Sequence, residues 1–550
     1  MSKKQKQAKK RAWVQRQQRR TAQKQPKAKK AYRSWKYYTR NQKEVARRLS
    51  AGDYEIIRGK GWGFFDRFFH FLRILGFRAL LEVEGLRFKR KMMALSRFLL
   101  AYQAKILLGI DSMNAVPDTM FKDIGLLKIL GFTAKEIEEG TNERWRGRGQ
   151  EKGTGPMEQS TLADALERFT GAEIELLLNQ AVRLLAAHGF IRGTIFALDA
   201  TDLETTKKYQ NCGQVTRKEK PVNKKGQVVE IEVTRYGGKL RIVMDLTSRI
   251  AVAAKVVQIQ AHESPFTLAL IEQAEKNIGR GKIKILVMDR GFLDGETLWK
   301  IKKKYGIDFV VPAKENMGIT KDAQSYRGSK ADGKYIFRAE RTREIKHRKK
   351  KGEKAGRIEY RKTVVIGRMD LNTYDQYGEE GHAKRKNSKP FQPNPMNAVM
   401  GLCWDGKEYD PGEEKVLLTS LPVARPFQGL DYYDDRSLIE NTGFRELKQG
   451  GHLKSYPKKT EDAVRNHARL TVMVFNLCNA YRTEQGQDLT EQGIRRLRRQ
   501  EGDAIHKVVV FAGAYYAIFD IEELMTLLGK PPKYCFRTDP KRTRARYGLT

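Results

Sequence analysis

Residues 285–298 read ILVMDRGFLDGETL, and this stretch decides how the central part of the chain is interpreted. Four apolar residues run directly into Asp289, and a polar turn separates that aspartate from a segment with helical character. A short apolar run bounded by turn residues is typical of a buried strand. We therefore predict a strand over residues 282–288 that ends at Asp289, then a helix over residues 295–306 with Asp294 as its N-cap.

The segments around this strand continue the same alternation. The first, TIFALDATDLETT, is predicted to be a strand that ends at Asp199. In chain order, these neighbours are a strand within 194–206 that ends at Asp199, strands at 239–246 and 250–259, a helix at 264–277 and a strand at 308–313. A meander of three strands followed by alternating helix and strand predicts an α/β fold with a ribonuclease H-like mixed sheet.

The remaining segments differ in composition, and we predict six regions. They are a basic arm expected to be disordered (1–55), a helical region (56–190), the first part of the core (191–313), a β-rich insertion (314–421) that interrupts it, the second part of the core with a catalytic helix (422–482), and a C-terminal helical region with a basic tail (483–550). The arm mixes cations with aromatic residues, so it is either a nucleic-acid-binding arm or a solvated tail. The helical region is either a DNA-reading domain or packing scaffold.

The charge of the chain favours a polyanionic partner. Among 550 residues, 107 are Lys or Arg and 65 are Asp or Glu, which gives a formal net charge of +42. The longest apolar run, at 508–519, is shorter than the roughly 20 residues that span a bilayer, so no membrane association is expected. No phosphate-loop motif indicates ATP use. The N-terminal residues lack a secretory apolar region and the cysteines form no Cys-x-x-Cys pair, so we expect a cytoplasmic protein.

Three carboxylates form the candidate site. Asp199 and Asp289 follow the first and fourth strands, which are neighbours in the predicted fold, so their side chains are expected to lie together. Two close carboxylates repel unless a cation lies between them, and Mg²⁺ prefers oxygen ligands. Tyr433, Arg436 and Glu440 share one face of a predicted helix because they are spaced three and four apart. Glu440 can therefore complete a metal site, and the other two can hold DNA phosphates.

Four blocks of the sequence resemble bacterial insertion-sequence transposases of the Asp-Asp-Glu (DDE) type. The blocks are LDATDLETT, VMDRGF, the run Y-x-x-R-x-x-x-E followed by FRELKQ, and YGGKLRIVMDLTSRIAVAAKVVQIQAHES. The similar group carries a Tyr-Arg-Glu-Lys signature and a β-strand insertion before its catalytic glutamate, and the likeness covers roughly residues 190–480. It implies a ribonuclease H-like core and two-metal chemistry with Mg²⁺, for which Mn²⁺ substitutes. It also implies DNA partners (terminal inverted repeats and target DNA) and a homodimer in the synaptic complex.

The resemblance assigns catalytic and metal-binding roles to Asp199, Asp289 and Glu440, and DNA binding to Tyr433, Arg436 and Lys448. Lys448 departs from the family pattern, because the lysine usually follows the glutamate by seven positions and here follows it by eight. On a regular helix the extra residue would rotate the lysine by about 100°. We therefore predict a one-residue π-bulge between Asn441 and Gly443 that absorbs it.

Other acidic residues are weaker candidates. Asp202 lies beyond the first strand, and Asp245 lies in a strand whose neighbouring side chains the sequence does not identify. Glu446 lies about 120° around the helix from Glu440. His262 and Glu263 either brace the site or cap the following helix. Two alternatives to a transposase remain open, namely a ribonuclease H-like nuclease without strand transfer and a non-catalytic or decayed nucleic-acid-binding protein.

Overall fold

A computed structural model describes residues 39–60, 63–82, 93–121, 123–133, 136, 156–219, 229–262, 264–346, 358–374, 376–378, 395–405, 408–487, 489, 493–496, 507–530 and 539–549. The strands are β1 (Thr39–Arg40), β2 (Ile56–Lys60), β3 (Ile195–Thr205), β4 (Gly213–Glu219), β5 (Ile231–Asp245), β6 (Ala251–Gln258), β7 (Ile285–Met288), β8 (Asp308–Pro312), β9 (Ile336–Lys346), β10 (Ile358–Leu371), β11 (Met396–Asp405), β12 (Glu408–Thr419), β13 (Lys507–Ala512) and β14 (Tyr515–Asp520).

The α-helices are α1 (Gln42–Ser50), α2 (Gly63–Ile74), α3 (Phe77–Leu80), α4 (Leu95–Leu108), α5 (Ile124–Ile129), α6 (Gln159–Arg168), α7 (Gly171–Ala187), α8 (Thr267–Ile278), α9 (Gly295–Tyr305), α10 (Gly318–Ser325), α11 (Pro426–Asp435), α12 (Arg445–Gln449), α13 (Glu461–Glu484), α14 (Ile521–Leu527) and α15 (Pro540–Arg546). Two π-helices lie at Pro117–Phe121 and Ile439–Phe444. The chain divides into two compact units, one of Met1–Arg168 with Gln492–Thr550 and one of Phe169–Glu491.

The second unit contains a large mixed sheet. Its strand order is β4-β5-β3-β7-β8-β12-β11-β10-β9, and β6 pairs with β5 beside β4. The pairs β3–β7 and β7–β8 are parallel, whereas β3–β5 and β5–β6 are antiparallel. An antiparallel meander of three strands followed by two parallel strands is the predicted ribonuclease H-like core, so the α/β fold prediction is confirmed.

The predicted β-rich insertion forms four strands that extend this sheet. β12 pairs antiparallel with β8 over Leu417–Thr419, and β11, β10 and β9 follow in antiparallel order. Apolar residues of β7, β8 and the inserted strands form one buried cluster against Leu430 of α11. The inserted strands therefore share one hydrophobic cluster with the core strands and with α11, the helix that precedes Glu440.

The first unit has a small sheet in the order β1-β14-β13-β2. Within the predicted disordered arm, residues 1–38 lie outside the described residues, but α1 is well formed. Asn41 caps α1 by accepting a hydrogen bond from the Glu44 N–H, and Val45 and Leu49 are buried against β13, β14 and α14. The prediction of disorder is therefore wrong for the segment that contains α1.

The C-terminal region also differs from its prediction. Instead of forming helices alone, it contains the antiparallel hairpin β13–β14, which precedes α14 and α15. The apolar run at 508–519 forms this hairpin, and Val508, Val510, Ala512, Ala517 and Phe519 are buried in the core of the first unit. No helix among the described residues combines the length and the apolar character needed to span a membrane.

Candidate active site

Parallel pairing brings the two aspartates together. β3 and β7 lie side by side, and Leu198 pairs with Met288, so Asp199 and Asp289 follow at the same level of the sheet. β7 ends at Met288, as predicted, but β3 continues beyond Asp199 to Thr205 along β5. The prediction that the first strand ends at Asp199 is therefore wrong. The longer strand fixes Asp199 on both sides through backbone pairing.

Asp199 is a buried carboxyl group with few donors. Its residue is 6% exposed, and its Oδ1 accepts a hydrogen bond of 2.7 Å from the Ala200 N–H. Burial raises the pKa of Asp199 to about 7, and the nearby Asp289 and Glu440 carboxylates raise it as well, whereas Ala200 and Arg436 act in the opposite direction. The Asp289 and Glu440 carboxylates are therefore close enough to Asp199 to act on it electrostatically.

Arg436 joins two of the carboxylates. Its Nη1 donates to Asp199 Oδ2 at 2.8 Å and to Glu440 Oε1 at 2.9 Å, and its side chain is 12% exposed. Its guanidinium lies over the Tyr433 ring, 5.3 Å from the centroid. Burial disfavours the charged guanidinium, but Asp199 and the other acidic groups outweigh it and raise the pKa of Arg436. A positive charge therefore occupies the space among the acidic residues.

Glu440 lies in the π-helix Ile439–Phe444, and its side chain is half-exposed. This π-helix covers the segment where a π-bulge was predicted from the family's shorter spacing, so the bulge is confirmed, whereas the return of Lys448 to the face of Glu440 stays a prediction. Gly443 packs against the core strand β5, because a Cβ there would lie 3.2 Å from Met244 Sδ. Lys448 is exposed in α12 and interacts electrostatically with Glu204 of β3. Its DNA-binding role stays a prediction.

The insertion braces the helix that carries Tyr433, a feature that no local sequence pattern indicated. Arg341 of β9 donates to both carboxylate oxygens of Asp431 in α11, at 3.0 and 2.6 Å. Its guanidinium also lies 4.1 Å from the centroid of the Phe427 ring. The two partners are 90 residues apart in sequence, so only the folded sheet brings them together.

The weaker acidic candidates have structural partners. Asp202 pairs with Arg217 at 3.2 Å, and Glu446 lies 3.5 Å from the buried Arg482. Asp294 accepts a hydrogen bond of 3.0 Å from the Thr297 N–H, so the predicted N-cap of α9 is confirmed. These residues serve local structure.

Asp245 holds a buried turn. Its carboxylate accepts hydrogen bonds from the backbone N–H groups of Arg192, Gly193 and Thr247 and from the Ser248 hydroxyl. The Gly193 position is tight, because a Cβ would lie 1.9 Å from Asp245 Oδ1. Asp245 therefore belongs to the sheet and not to the site.

His262 is exposed, and its backbone carbonyl accepts a hydrogen bond of 2.6 Å from the buried Arg241. Glu263 lies outside the described residues. Arg241 lies on β5, the second strand of the core, and the two roles considered for His262 and Glu263 stay predictions.

The donor set fits a divalent cation. Asp199, Asp289 and Glu440 supply carboxylate oxygens, the ligand type that Mg²⁺ and Mn²⁺ prefer. The positively charged Arg436 guanidinium lies between Asp199 and Glu440, where a metal ion would bind. With that guanidinium in position, no three acidic, His or Cys side chains among the described residues stand close enough to hold one ion.

The chain matches the family model described as a transposase DDE domain over residues 192–477. No curated protein matches the chain significantly. A solved structure that resembles it is the cryo-EM structure of a piggyBac transposase synaptic complex with hairpin DNA. The two chains are 11% identical with a TM-score of 0.34, and the match covers 88% of this chain and 85% of the other.

Proposed function

Because the chain belongs to the transposase DDE domain family, which it matches over residues 192–477, we propose that it cuts DNA at the ends of an insertion sequence and joins those ends to target DNA. The observation that supports this most is the position of Arg436, which contacts Asp199 on a core strand and Glu440 on a π-helix. Residues more than 200 positions apart thus converge on one charged site beside Asp289.

We assign the carboxylates to metal binding. Asp199 and Asp289 present oxygens from two adjacent strands, and Glu440 closes the site from the helix. A bound Mg²⁺ or Mn²⁺ would activate water and stabilise charge on the attacking and leaving oxygens of a phosphodiester. A strand-held pair of aspartates positions these oxygens rigidly, which favours in-line attack.

The basic and aromatic residues beside the carboxylates are assigned to the DNA. Arg436 presents a planar guanidinium suited to two oxygens of one phosphate. Tyr433 supports that guanidinium through its ring and supplies a hydroxyl donor. Lys448, exposed on α12, is assigned to a more distant phosphate.

The proposed partners are the terminal inverted repeats and the target DNA. Two element ends must be held together for joining, so we propose a homodimer in the synaptic complex. We also propose that the protein acts in the cytoplasm, at the nucleoid of a bacterial or archaeal cell, where its DNA substrate would lie. No role for ATP is proposed.

The test uses a plasmid that carries the gene with its native flanking DNA. Purified protein is added with Mg²⁺, with EDTA, or as the Asp289→Ala variant, and new 3′ ends and joined products are mapped. Metal-dependent nicks at matching inverted sequences that are absent with Asp289→Ala support the proposal. Cleavage that persists in the variant would refute the role of Asp289.

The two alternatives give different results in the same experiment. Nicks without joined products would indicate a nuclease that lacks strand transfer. DNA binding without any metal-dependent cut would indicate a decayed enzyme or a binding protein. The match to the transposase DDE domain favours the transposase over the nuclease, and the proximity of the three carboxylates favours an enzyme over a binding protein.

A further inference from the structure

Two loops of the second unit meet beyond the end of β3 and carry a concentration of lysines. The first is the turn at 206–210, which follows β3, and the second is the loop at 450–460, which joins α12 to α13. Neither segment contains an acidic residue. Their lysines, which together are called the lysine ridge, are Lys207, Lys208, Lys454, Lys458 and Lys459. None of them belongs to the site assigned to catalysis.

Backbone and aromatic contacts hold the two loops together. The Gln210 N–H donates to the Lys459 carbonyl at 2.9 Å, and the Glu461 N–H donates to the Gln210 carbonyl at 3.1 Å. The rings of Tyr209 and Tyr456 pack edge to face, with their centroids 5.8 Å apart. The two loops, and the lysines that they carry, therefore form one connected part of the surface.

Three lysines of the ridge carry charge that the protein itself does not use. Lys207, Lys208 and Lys459 are exposed, and none of them forms an ion pair or a side-chain hydrogen bond in the part of the chain that the structure describes. Lys454 donates to Glu204 Oε2 at 2.7 Å, but its side chain remains 53% exposed. Three positive charges of the ridge are therefore available to a partner.

The acidic residues that flank the two loops face arginines outside the ridge. The first two of these pairs are ion pairs, and the third is an electrostatic interaction at longer range. The pairs are Glu204 with Arg235, Glu461 with Arg465, and Asp462 with Arg469. The ridge therefore keeps an excess of positive charge, and a row of phosphates is the chemistry that complements it.

The ridge continues from the catalytic strand and from Lys448. Along β3, six residues lead from Asp199 to Thr205, the last residue before the first loop. At about 3.3 Å per residue this is about 20 Å, the length of about six nucleotides in one strand of duplex DNA. Lys448 acts electrostatically on Glu204, which also accepts the hydrogen bond from Lys454. The ridge therefore extends the basic surface away from the carboxylates.

We propose that the lysine ridge binds phosphates of the duplex DNA that leaves the catalytic site, about six nucleotides from the phosphodiester that is cut. The proposal rests on the proposed DNA substrate, but it does not require catalysis. Lysines bind phosphates as point charges and release counterions from the duplex, so they add affinity for any sequence. The ridge grips the DNA backbone and leaves the reading of bases to other surfaces.

The test measures how the affinity for a random-sequence DNA duplex depends on salt. The double variant Lys207→Gln, Lys459→Gln removes one exposed charge from each loop and involves no backbone contact between the loops. Each phosphate contact contributes about 0.9 to the slope of log affinity against log salt, so the magnitude of the slope should fall by about 1.8. The matched control Lys303→Gln, Lys321→Gln removes two exposed charges from α9 and α10 and should leave the slope unchanged.

A charge-preserving variant separates a role of charge from a structural role. Lys207→Arg, Lys459→Arg should keep the wild-type slope, because each guanidinium neutralises a phosphate as an ammonium does. The proposal is overturned by a wild-type slope in the double Gln variant, by an equal fall in the control pair, or by an equal fall in the Arg variant. If the double Gln variant does not fold, the single Lys459→Gln variant repeats the test with an expected fall of about 0.9.

The same series with an RNA duplex tests the assignment to DNA. A slope that falls for duplex RNA and stays unchanged for duplex DNA would assign the ridge to RNA and overturn the proposal. A fall of about 1.8 for the DNA duplex supports the proposal.

Failure of this proposal can be told apart from failure of the proposed function. Metal-dependent cleavage is measured on the same wild-type preparation. A slope change in a protein that never cuts DNA would support the lysine ridge and refute the transposase, whereas cutting with an unchanged slope would do the reverse.

Discussion

Replacing Asp199 with asparagine should stabilise the metal-free protein at pH 8 while abolishing cleavage. Burial raises the pKa of Asp199 to about 7 from a reference value of 3.8. A group with a raised folded-state pKa contributes stability below pH 4, and that stability is lost as the pH rises to 7. At 1.36 kcal/mol per pH unit, the difference between 7 and 3.8 corresponds to about 4 kcal/mol. Asparagine stays neutral, so it avoids this cost.

The measurement is urea unfolding in EDTA at pH 5 and pH 8. Wild-type stability should fall between these values, and Asp199→Asn should remove most of that fall, because the variant does not titrate at this position. The matched control is Asp202→Asn, the same chemical change three residues along the strand. Its partner Arg217 forms a partly exposed ion pair, so a change below about 1 kcal/mol is expected.

Metal binding supplies the second half of the same test. Adding Mg²⁺ or Mn²⁺ should stabilise wild type more at pH 8 than at pH 5, because the carboxylate must lose its proton to bind. Asp199→Asn should show little of this stabilisation. Two results would refute the account of Asp199 as a buried metal ligand. One is that the variant is equally destabilised at both pH values, and the other is that it gains as much stability from metal as wild type does.

Three more changes test other parts of the molecule. Asp245→Ala should destabilise the second unit by about 4 kcal/mol in urea unfolding, because four donors lose one buried acceptor; a loss below 1 kcal/mol would contradict this. Burial lowers the pKa of Lys105 from 10.5 to about 8, so wild-type stability should rise between pH 8 and 10.5. Lys105→Met should remove that rise and add up to about 3 kcal/mol at pH 7. Deleting Thr442 should leave DNA binding and cleavage nearly intact, because Lys448 keeps its orientation to Glu440 once a seven-residue spacing and a regular helix replace the π-helix.

Features that depend on short stretches of sequence could be predicted. The strands of the core follow from apolar runs, and the adjacency of Asp199 and Asp289 follows from parallel pairing in the predicted fold. The π-helix followed from comparing the eight-residue spacing of Glu440 and Lys448 with the seven-residue spacing of the family that the sequence resembles. In each case the deciding information lies within a few turns or strands of the residue concerned.

Features that depend on distant partners could not be predicted. β3 continues past Asp199 because its polar end pairs with the long strand β5, which periodicity alone does not reveal. α1 was hidden by the average composition of a basic segment, although Asn41, Val45 and Leu49 carry a local cap and an apolar face. The bond between Arg341 and Asp431 needs the inserted strands to join the core sheet.

The four-residue spacing of Arg436 and Glu440 matters because Arg436 also contacts the distant residue Asp199. On any helix, residues four apart form an exposed ion pair that contributes only a few tenths of a kcal/mol. Here one nitrogen of Arg436 also reaches Asp199, a buried carboxyl group on another element. The guanidinium therefore offsets the repulsion between these two carboxylates, and under the proposed function it would turn to a phosphate when a metal cation binds there. The same spacing thus links a residue of the π-helix to a carboxyl group on a core strand.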